Sequence, residues 1–170
     1  MFLVAVDPGT RFLGVAFFHE GQFLSAQTLR NPGYRHKDVD RRCYELVQEL
    51  ARTLRLAQVE LGVNEAPIIA YEDPEFRSSE ATARSVESLY RFCGHLSQWA
   101  MARGYRLHRY PVGDIKLGVA GSRRASKDSV EAVLRHEYKL HDANYSDHAW
   151  DAISVGVFHL AQVRVKTAGG

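Results

Sequence analysis

Cysteine is scarce in this 170-residue chain: only Cys43 and Cys93 occur. Neither sits in a Cys-x-x-Cys pair or in a His/Cys spacing that suits zinc, which excludes a disulfide scaffold and a zinc module. Each falls on the apolar side of a helical pattern, where a reduced thiol packs as a small hydrophobe. Long hydrophobic runs are missing too. None approaches the roughly 20 residues needed to cross a bilayer. The first apolar run, residues 2–6, meets Asp7 at once, with no basic leader and no small-residue cleavage site. The expectation is a soluble protein working in the cytoplasm. An excess of either charge is also lacking: 22 Lys and Arg face 20 Asp and Glu, a formal net charge of +2. Bulk charge therefore identifies no partner, and only its distribution can. Internal repeats and low-complexity segments are absent. A hydrophobic content of 45% with 25% charged residues is ordinary for a globular domain, and the length suits one such domain. We assign it to residues 1–166, with 167–170 as a flexible tail.

Hydrophobic periodicity orders the elements. Residues 2–6 read as a buried strand that ends in the turn Asp7-Pro8-Gly9-Thr10. Residues 12–19 form a second strand, Gly21 marks a turn, and 22–29 form a third, shorter one. The short connections make these three antiparallel neighbours. After Asn31-Pro32-Gly33, residues Val39, Cys43, Leu46, Leu50, Leu54, Ala57 and Leu61 recur at steps of three and four, predicting a helix over 38–61. A strand over 67–71 ends at Glu72-Asp73-Pro74. A helix over 79–102 turns Val86, Leu89, Cys93, Leu96 and Ala100 inward, and 105–110 form a fifth strand. Helices follow over 113–119, 126–138 and 146–165, with Ser126 and Ser146 as N-caps. The order predicts an α/β fold with a mixed five-stranded sheet flanked by helices on both faces.

Acidic side chains stand where these elements end, which is where open α/β sheets bind ligands. Asp7 follows the first strand, Glu72 the fourth, and Asp151 lies in the first turns of the last helix, with Asp147 and His148 beside it. Gathered carboxylates repel one another, and burying them uncompensated costs several kcal/mol. Divalent cations relieve this. Mg²⁺ prefers hard oxygen ligands, and two such ions about 3.5–4 Å apart can activate water and stabilise the leaving oxygen of a phosphodiester. His148 and Asp151 are three apart on the helix and Asp147 and Asp151 are four apart, so one of the two pairings faces the ions. His148 serves either as a ligand or as a general base, since its unperturbed pKa lies near neutrality.

Between Arg103 and Lys127 seven basic residues (Arg103, Arg106, Arg109, Lys116, Arg123, Arg124 and Lys127) face one acid, Asp114, with Tyr105, His108 and Tyr110 interspersed. A concentrated basic stretch in a near-neutral chain fits a phosphate-backbone surface. Gly121-Ser122 forms a turn expected to offer backbone N–H groups to phosphate.

These motifs together resemble the RuvC family of Holliday-junction resolvases, within the ribonuclease H-like superfamily. The resemblance spans nearly the whole chain. It is carried by Val-Ala-Val-Asp-Pro-Gly-Thr (4–10) with Gly14 following, Tyr-Glu-Asp-Pro (71–74), Tyr-Pro-Val-Gly-Asp-Ile-Lys-Leu-Gly-Val-Ala-Gly-Ser (110–122), Ala-Ser-Lys-Asp-Ser-Val (125–130) and His-Ala-Trp-Asp-Ala-Ile-Ser-Val-Gly (148–156). It implies a ribonuclease H-like fold and a Mg²⁺-dependent endonuclease, with Mn²⁺ as a substitute, that resolves four-way DNA junctions into ligatable nicks. Asp7 and Glu72 match the first two metal-binding acids, Asp151 matches the last, and His148 falls where many members carry Asp and some carry His. Asp147 precedes that position, as a ligand, a partner of His148 or a helix cap. Lys116 and Lys127 match two lysines that support phosphate binding beside the cleavage site. Phe76 lies where members carry an aromatic wedge that unstacks junction bases, and Arg77 becomes a junction contact. Arg123 and Arg124 join the DNA-binding set. The resemblance also implies a symmetric homodimer, for which the 79–102 helix is the candidate surface, with Tyr90 and Trp99 either at that surface or in the core.

Other readings compete. Another ribonuclease H-like nuclease would prefer a flap or an RNA–DNA hybrid, and a branched-DNA binding module would not cut. An actin-like ATPase shares Asp-Pro-Gly-Thr but needs two such domains, and 170 residues supply one.

Overall fold

The computed structural model describes residues 1–74 and 83–168. Five strands form one mixed sheet: β1 (Phe2–Asp7), β2 (Phe12–His19), β3 (Gln22–Arg30), β4 (Ile68–Asp73) and β5 (Arg106–Pro111), in the order β3-β2-β1-β4-β5. β1 pairs antiparallel with β2 and β2 with β3, while β1–β4 and β4–β5 are parallel. The helices are α1 (Val39–Leu61), α2 (Ala83–Met101), α3 (Val112–Ala120), α4 (Lys127–Glu137) and α5 (Asp147–Ala168). The expected sheet, its antiparallel beginning and the helices on both faces are all present.

Strand alternation divides the core in two. Val4, Val6, Val15, Phe17, Ile69 and Tyr71 face α1 and α2, meeting Leu46, Leu50, Leu54, Phe92 and Leu96. Leu3, Ala5, Ala16, Phe18, Ile68 and Ala70 face α5, α3 and α4, meeting Trp150, Ile153, Ile115 and Leu134. Fully burying a Leu or Phe contributes roughly 1.5–3 kcal/mol before entropy is counted. α1 begins where Asp38 accepts from the N–H groups of Asp40 and Arg41, and ends at Gly62 in the left-handed region. Both expected serine caps form: Ser126 Oγ accepts from Ser129 N–H and Ser146 Oγ from Ala149 N–H.

Three boundaries differ from expectation. β3 is the longest strand, nine residues, not a short one. It is a sheet edge with exposed polar side chains, so its outward face hid its extent in the apolar pattern while pairing with β2 carried it on to Arg30. β4 runs past Tyr71 because β5 continues beside it, pairing Glu72 with Tyr110 and Asp73 with Pro111. α5 continues to Ala168, into the stretch expected to be tail. Among the described residues no helix is long and apolar enough to cross a membrane. Cys43 and Cys93 are buried free thiols, as expected.

Candidate active site

β1 and β4 run parallel, with Val6 opposite Tyr71. One step further along each strand come Asp7 and Glu72. Since Val6 and Tyr71 belong to the α1/α2 side, alternation turns both acids toward the face covered by α5. The N-terminal turn of α5 sits over them. His148 Nδ1 lies 2.7 Å from Asp7 Oδ2, joining residues 141 positions apart. Gly14 makes this approach possible. It pairs with Asp7 across β1 and β2, and a β-carbon there would collide with the backbone carbonyl of His148 and crowd Asp7 Cβ at 3.1 Å.

Asp151 follows His148 on the same helix face, and Lys127 Nζ donates to its Oδ2 at 2.6 Å. The first turn of α4, capped by Ser126, thus brings an ammonium to the acids. Glu72, Asp151, Lys116, Lys127 and Ser154 line one cleft of about 260 Å³, together with Pro8, Pro74, Leu89, Val112, Ile115 and Val130. The Lys116 ammonium donates to the Ala125 carbonyl at 2.7 Å, which ties α3 to the loop before α4.

The electrostatics bind these groups into one system. Burial pushes the Asp7 carboxyl above the usual carboxylate range; the His148 hydrogen bond opposes this, and the charge of Asp151 adds to it. The bond to Asp7 raises the His148 imidazole above its ordinary value, against its own partial burial. Both shifts favour the protonated forms of the two groups. Partial burial works against the Lys127 ammonium, but its bond to Asp151 and the charges of Asp151, Asp147 and Asp7 outweigh that and hold its pKa up.

Of the two helical pairings, His148 with Asp151 faces Asp7, whereas Asp147 is exposed and acts on the site through its field on Lys127. Among the described residues no group of three His, Cys, Asp or Glu side chains stands close enough to hold a metal ion as it is; Asp7 is engaged by His148 and Asp151 by Lys127. The donor chemistry nonetheless suits a hard divalent cation: three carboxylates from three elements, one of them buried and destabilised as an anion.

The basic segment does not form one surface. Arg123 pairs with Asp114 at 2.6 Å, Arg103 stacks over Trp99, and Arg106 and Arg109 are exposed on edge strand β5. Arg124 is exposed in the α3–α4 loop. The expectation of amides open to phosphate at Gly121-Ser122 is corrected for Gly121. Gly121 caps α3 in the left-handed region (φ 72°) and its N–H donates to Leu117 O. Further along the loop, Arg124 N–H donates to Ser122 Oγ and Ala125 N–H to Ser122 O. Phe76 and Arg77 lie outside the described residues. On α2, Trp99 is core and Tyr90 is half exposed, its hydroxyl donating to Pro74 O at 2.8 Å.

Sequence reasoning missed Ser154 as a cleft residue and the Tyr110–His159 hydrogen bond of 2.8 Å between β5 and α5. Ser154 was discoverable: it lies three residues past Asp151, on the same helix stripe. His159, deep in an apolar helix, carries no pattern that separates it from core.

Comparison with known proteins adds a consistent set of likenesses. The family model described as crossover junction endodeoxyribonuclease RuvC matches residues 3–159. A crossover junction endodeoxyribonuclease RuvC from Sulfurovum sp. (strain NBC37-1) is 23% identical over 167 residues, covering 98% of this chain and 99% of its own length. Among solved structures, the Thermus thermophilus RuvC structure has a TM-score of 0.71 at 21% identity, covering 98% of each chain. T. thermophilus RuvC in complex with Holliday junction substrate has a TM-score of 0.73 at 20% identity, covering 98% of this chain and 97% of that one.

Proposed function

We infer the chemistry of this site from the premise that the chain belongs to the RuvC family of crossover junction endodeoxyribonucleases and acts as a Holliday-junction resolvase. Asp7, Glu72, Asp151 and His148 would hold divalent cations, Mg²⁺ in the first place and Mn²⁺ as a substitute. When bound, a pair of such ions supplies activation of water and neutralises the charge that builds on the leaving oxygen. The chain's own residues do the rest. Asp7, central and buried, is shared between the Glu72 side and the α5 side. His148 is oriented through Nδ1 by Asp7 and stands beside the reacting phosphate. Lys116 and Lys127 line the cleft and offset the negative charge of the DNA backbone. Arg124 extends this contact along the backbone, joined by Arg123 where a phosphate replaces Asp114 as its partner, and Phe76 and Arg77 engage the junction centre. Water attacks phosphorus, the P–O3′ bond breaks, and the 3′ oxygen leaves with a proton, giving a 5′-phosphate and a 3′-hydroxyl that a ligase can seal.

A homodimer completes the reading, because a four-way junction has pseudo-two-fold symmetry and needs two matched nicks. α2 presents Tyr90 and Met101 to solvent and leaves space around Gly94, which supports it as the surface between copies. The cytoplasm of a bacterium or of a phage-infected bacterium is the location that suits this reading.

The observation that carries the catalytic reading is the meeting of β1, β4 and α5, where Asp7 contacts His148 and Glu72 shares a cleft with Asp151 and Lys127. Incubation with a mobile four-way junction, an RNA–DNA hybrid and a flap, with and without Mg²⁺, tests it. Paired, Mg²⁺-dependent nicks in the junction are expected. Asp7→Asn should lower nicking more than about 100-fold, beyond the cost of losing a supporting ligand partner, while junction binding persists. Preferred cutting of the hybrid or the flap would make this a different nuclease of the fold, and binding without any cleavage would make it a recognition module.

A further inference from the structure

A basic groove adjoins the turn that follows Asp7. It has a volume of about 420 Å³ and is lined by Thr10, Tyr34, Arg35, His36, Lys37 and Arg42, with Ser88 at its edge. Thr10 belongs to the turn that follows Asp7. Phe12, beside that turn, meets the His148 ring at 6.0 Å between centroids, and the Arg11 guanidinium lies 5.1 Å from the centroids of both Phe12 and Tyr34. Side chains therefore run without a break from Asp7 and His148, over Phe12, Arg11 and Tyr34, to Arg35 and Lys37.

The groove is held in shape. Asn31, buried, donates through Nδ2 to Thr10 O at 2.8 Å and to Arg42 O at 3.1 Å, and accepts from Gly33 N–H at 2.9 Å. Its own N–H donates to Arg11 O. One amide side chain thus ties the basic turn to the catalytic turn. The neighbouring acids are already engaged. Asp38 caps α1, Glu45 takes Arg41 and His36, and Asp40 takes Arg91 and His95. Arg35 and Lys37 are exposed, and neither has an ion pair among the described residues.

We propose that this groove binds the phosphate backbone of a DNA arm as it leaves the cleavage cleft, with Arg11, Arg35, Lys37 and Arg42 as cationic contacts and Tyr34 as a flat support. Fixed cations next to an aromatic face, continuous with a phosphodiester-cleaving centre, suit a polyanionic strand better than a small anion. The proposal rests on the nuclease reading above. It adds the Arg11–Lys37 groove to Lys116 and Lys127 as contacts for the DNA backbone.

The test is junction binding by Arg35→Ala/Lys37→Ala as a function of salt, with Arg35→Lys/Lys37→Arg alongside and thermal melts as the folding check. Each phosphate contact contributes about 0.9 to the slope of log K against log salt. The alanine pair should flatten that slope by about 2 and weaken binding roughly 10-fold at moderate salt, while the charge-conserving pair keeps both. When the arm that reaches the groove is shortened, the wild-type chain should lose the same affinity and the alanine pair should lose no more. A slope equal to that of the wild type, or an equal effect of the substitutions on every shortened junction, overturns the proposal. Failure of the wild type to bind or cut a junction at all would instead defeat the nuclease reading.

Discussion

On one face of the sheet, α1 and α2 stand off at the distance set by Leu46, Leu50, Leu54, Phe92 and Leu96. On the other, the start of α5 comes so near that only Gly14 fits beneath the His148 carbonyl. The first packing is interchangeable in kind: any long apolar side chain of the right volume maintains it. The second is a fixed separation between two backbones, and it is what brings His148 to within 2.7 Å of Asp7. Both layers carry core, but the close backbone approach that the proposed chemistry needs lies on the α5 face.

The strongest way to break this contrast is Gly14→Ala. The added carbon meets backbone, which cannot rotate away, so α5 must shift. Overpacking of this kind costs about 1–3 kcal/mol, and a displacement of roughly 1 Å at the reacting groups costs on the order of 100-fold in rate. Junction cleavage, measured below the variant's melting temperature, should fall by at least that factor. Leu50→Ala on the opposite face should do the reverse. It removes a fully buried side chain and should lower unfolding free energy by about 2–5 kcal/mol in a denaturant melt, yet leave single-turnover cleavage of the folded fraction unchanged. Comparable catalytic loss in both variants would erase the distinction between the faces.

The smallest effect sharpens it. Burial in the α1/α2 layer pushes the Cys43 thiol up to about 11 and the Cys93 thiol up to about 12, from an ordinary 9.0. Both should stay unlabelled by a thiol reagent at pH 8 until the protein unfolds. A raised thiol pKa favours the folded state fully below the unfolded value, and that contribution fades as pH rises through 9 toward 11–12. Denaturant melts at pH 8 and pH 10 should therefore show a lower stability at the higher pH, with no labelling at pH 8 in the native state.

How much was legible in advance follows the same division. The spacing of Cys43, Leu46, Leu50 and Leu54 announces α1 because an amphipathic helix over a sheet must repeat every three to four residues. Asp7 and Glu72 were readable as acids at strand ends, and parallel pairing of β1 with β4 sets them side by side. The choice between Asp147 and His148 was not readable, since both spacings put a residue near Asp151; the docking angle of α5 decided it. Charge counting also overstated the basic segment. It could not know that Arg123 would turn to Asp114 or that the Gly121 amide would close α3. The groove at Tyr34–Lys37 escaped because Asp38 and Asp40 stand among its cations in sequence and mask them, and the patch emerges only when Asn31 ties this segment to Thr10 and Arg42.

The contact between Asp7 and His148 spans nearly the length of the polypeptide. A chain still being synthesised displays its first acid early but gains the imidazole and Asp151 only when α5 emerges and docks. On the proposed roles, a product that lacks α5 would lack His148 and Asp151 and is expected not to nick DNA.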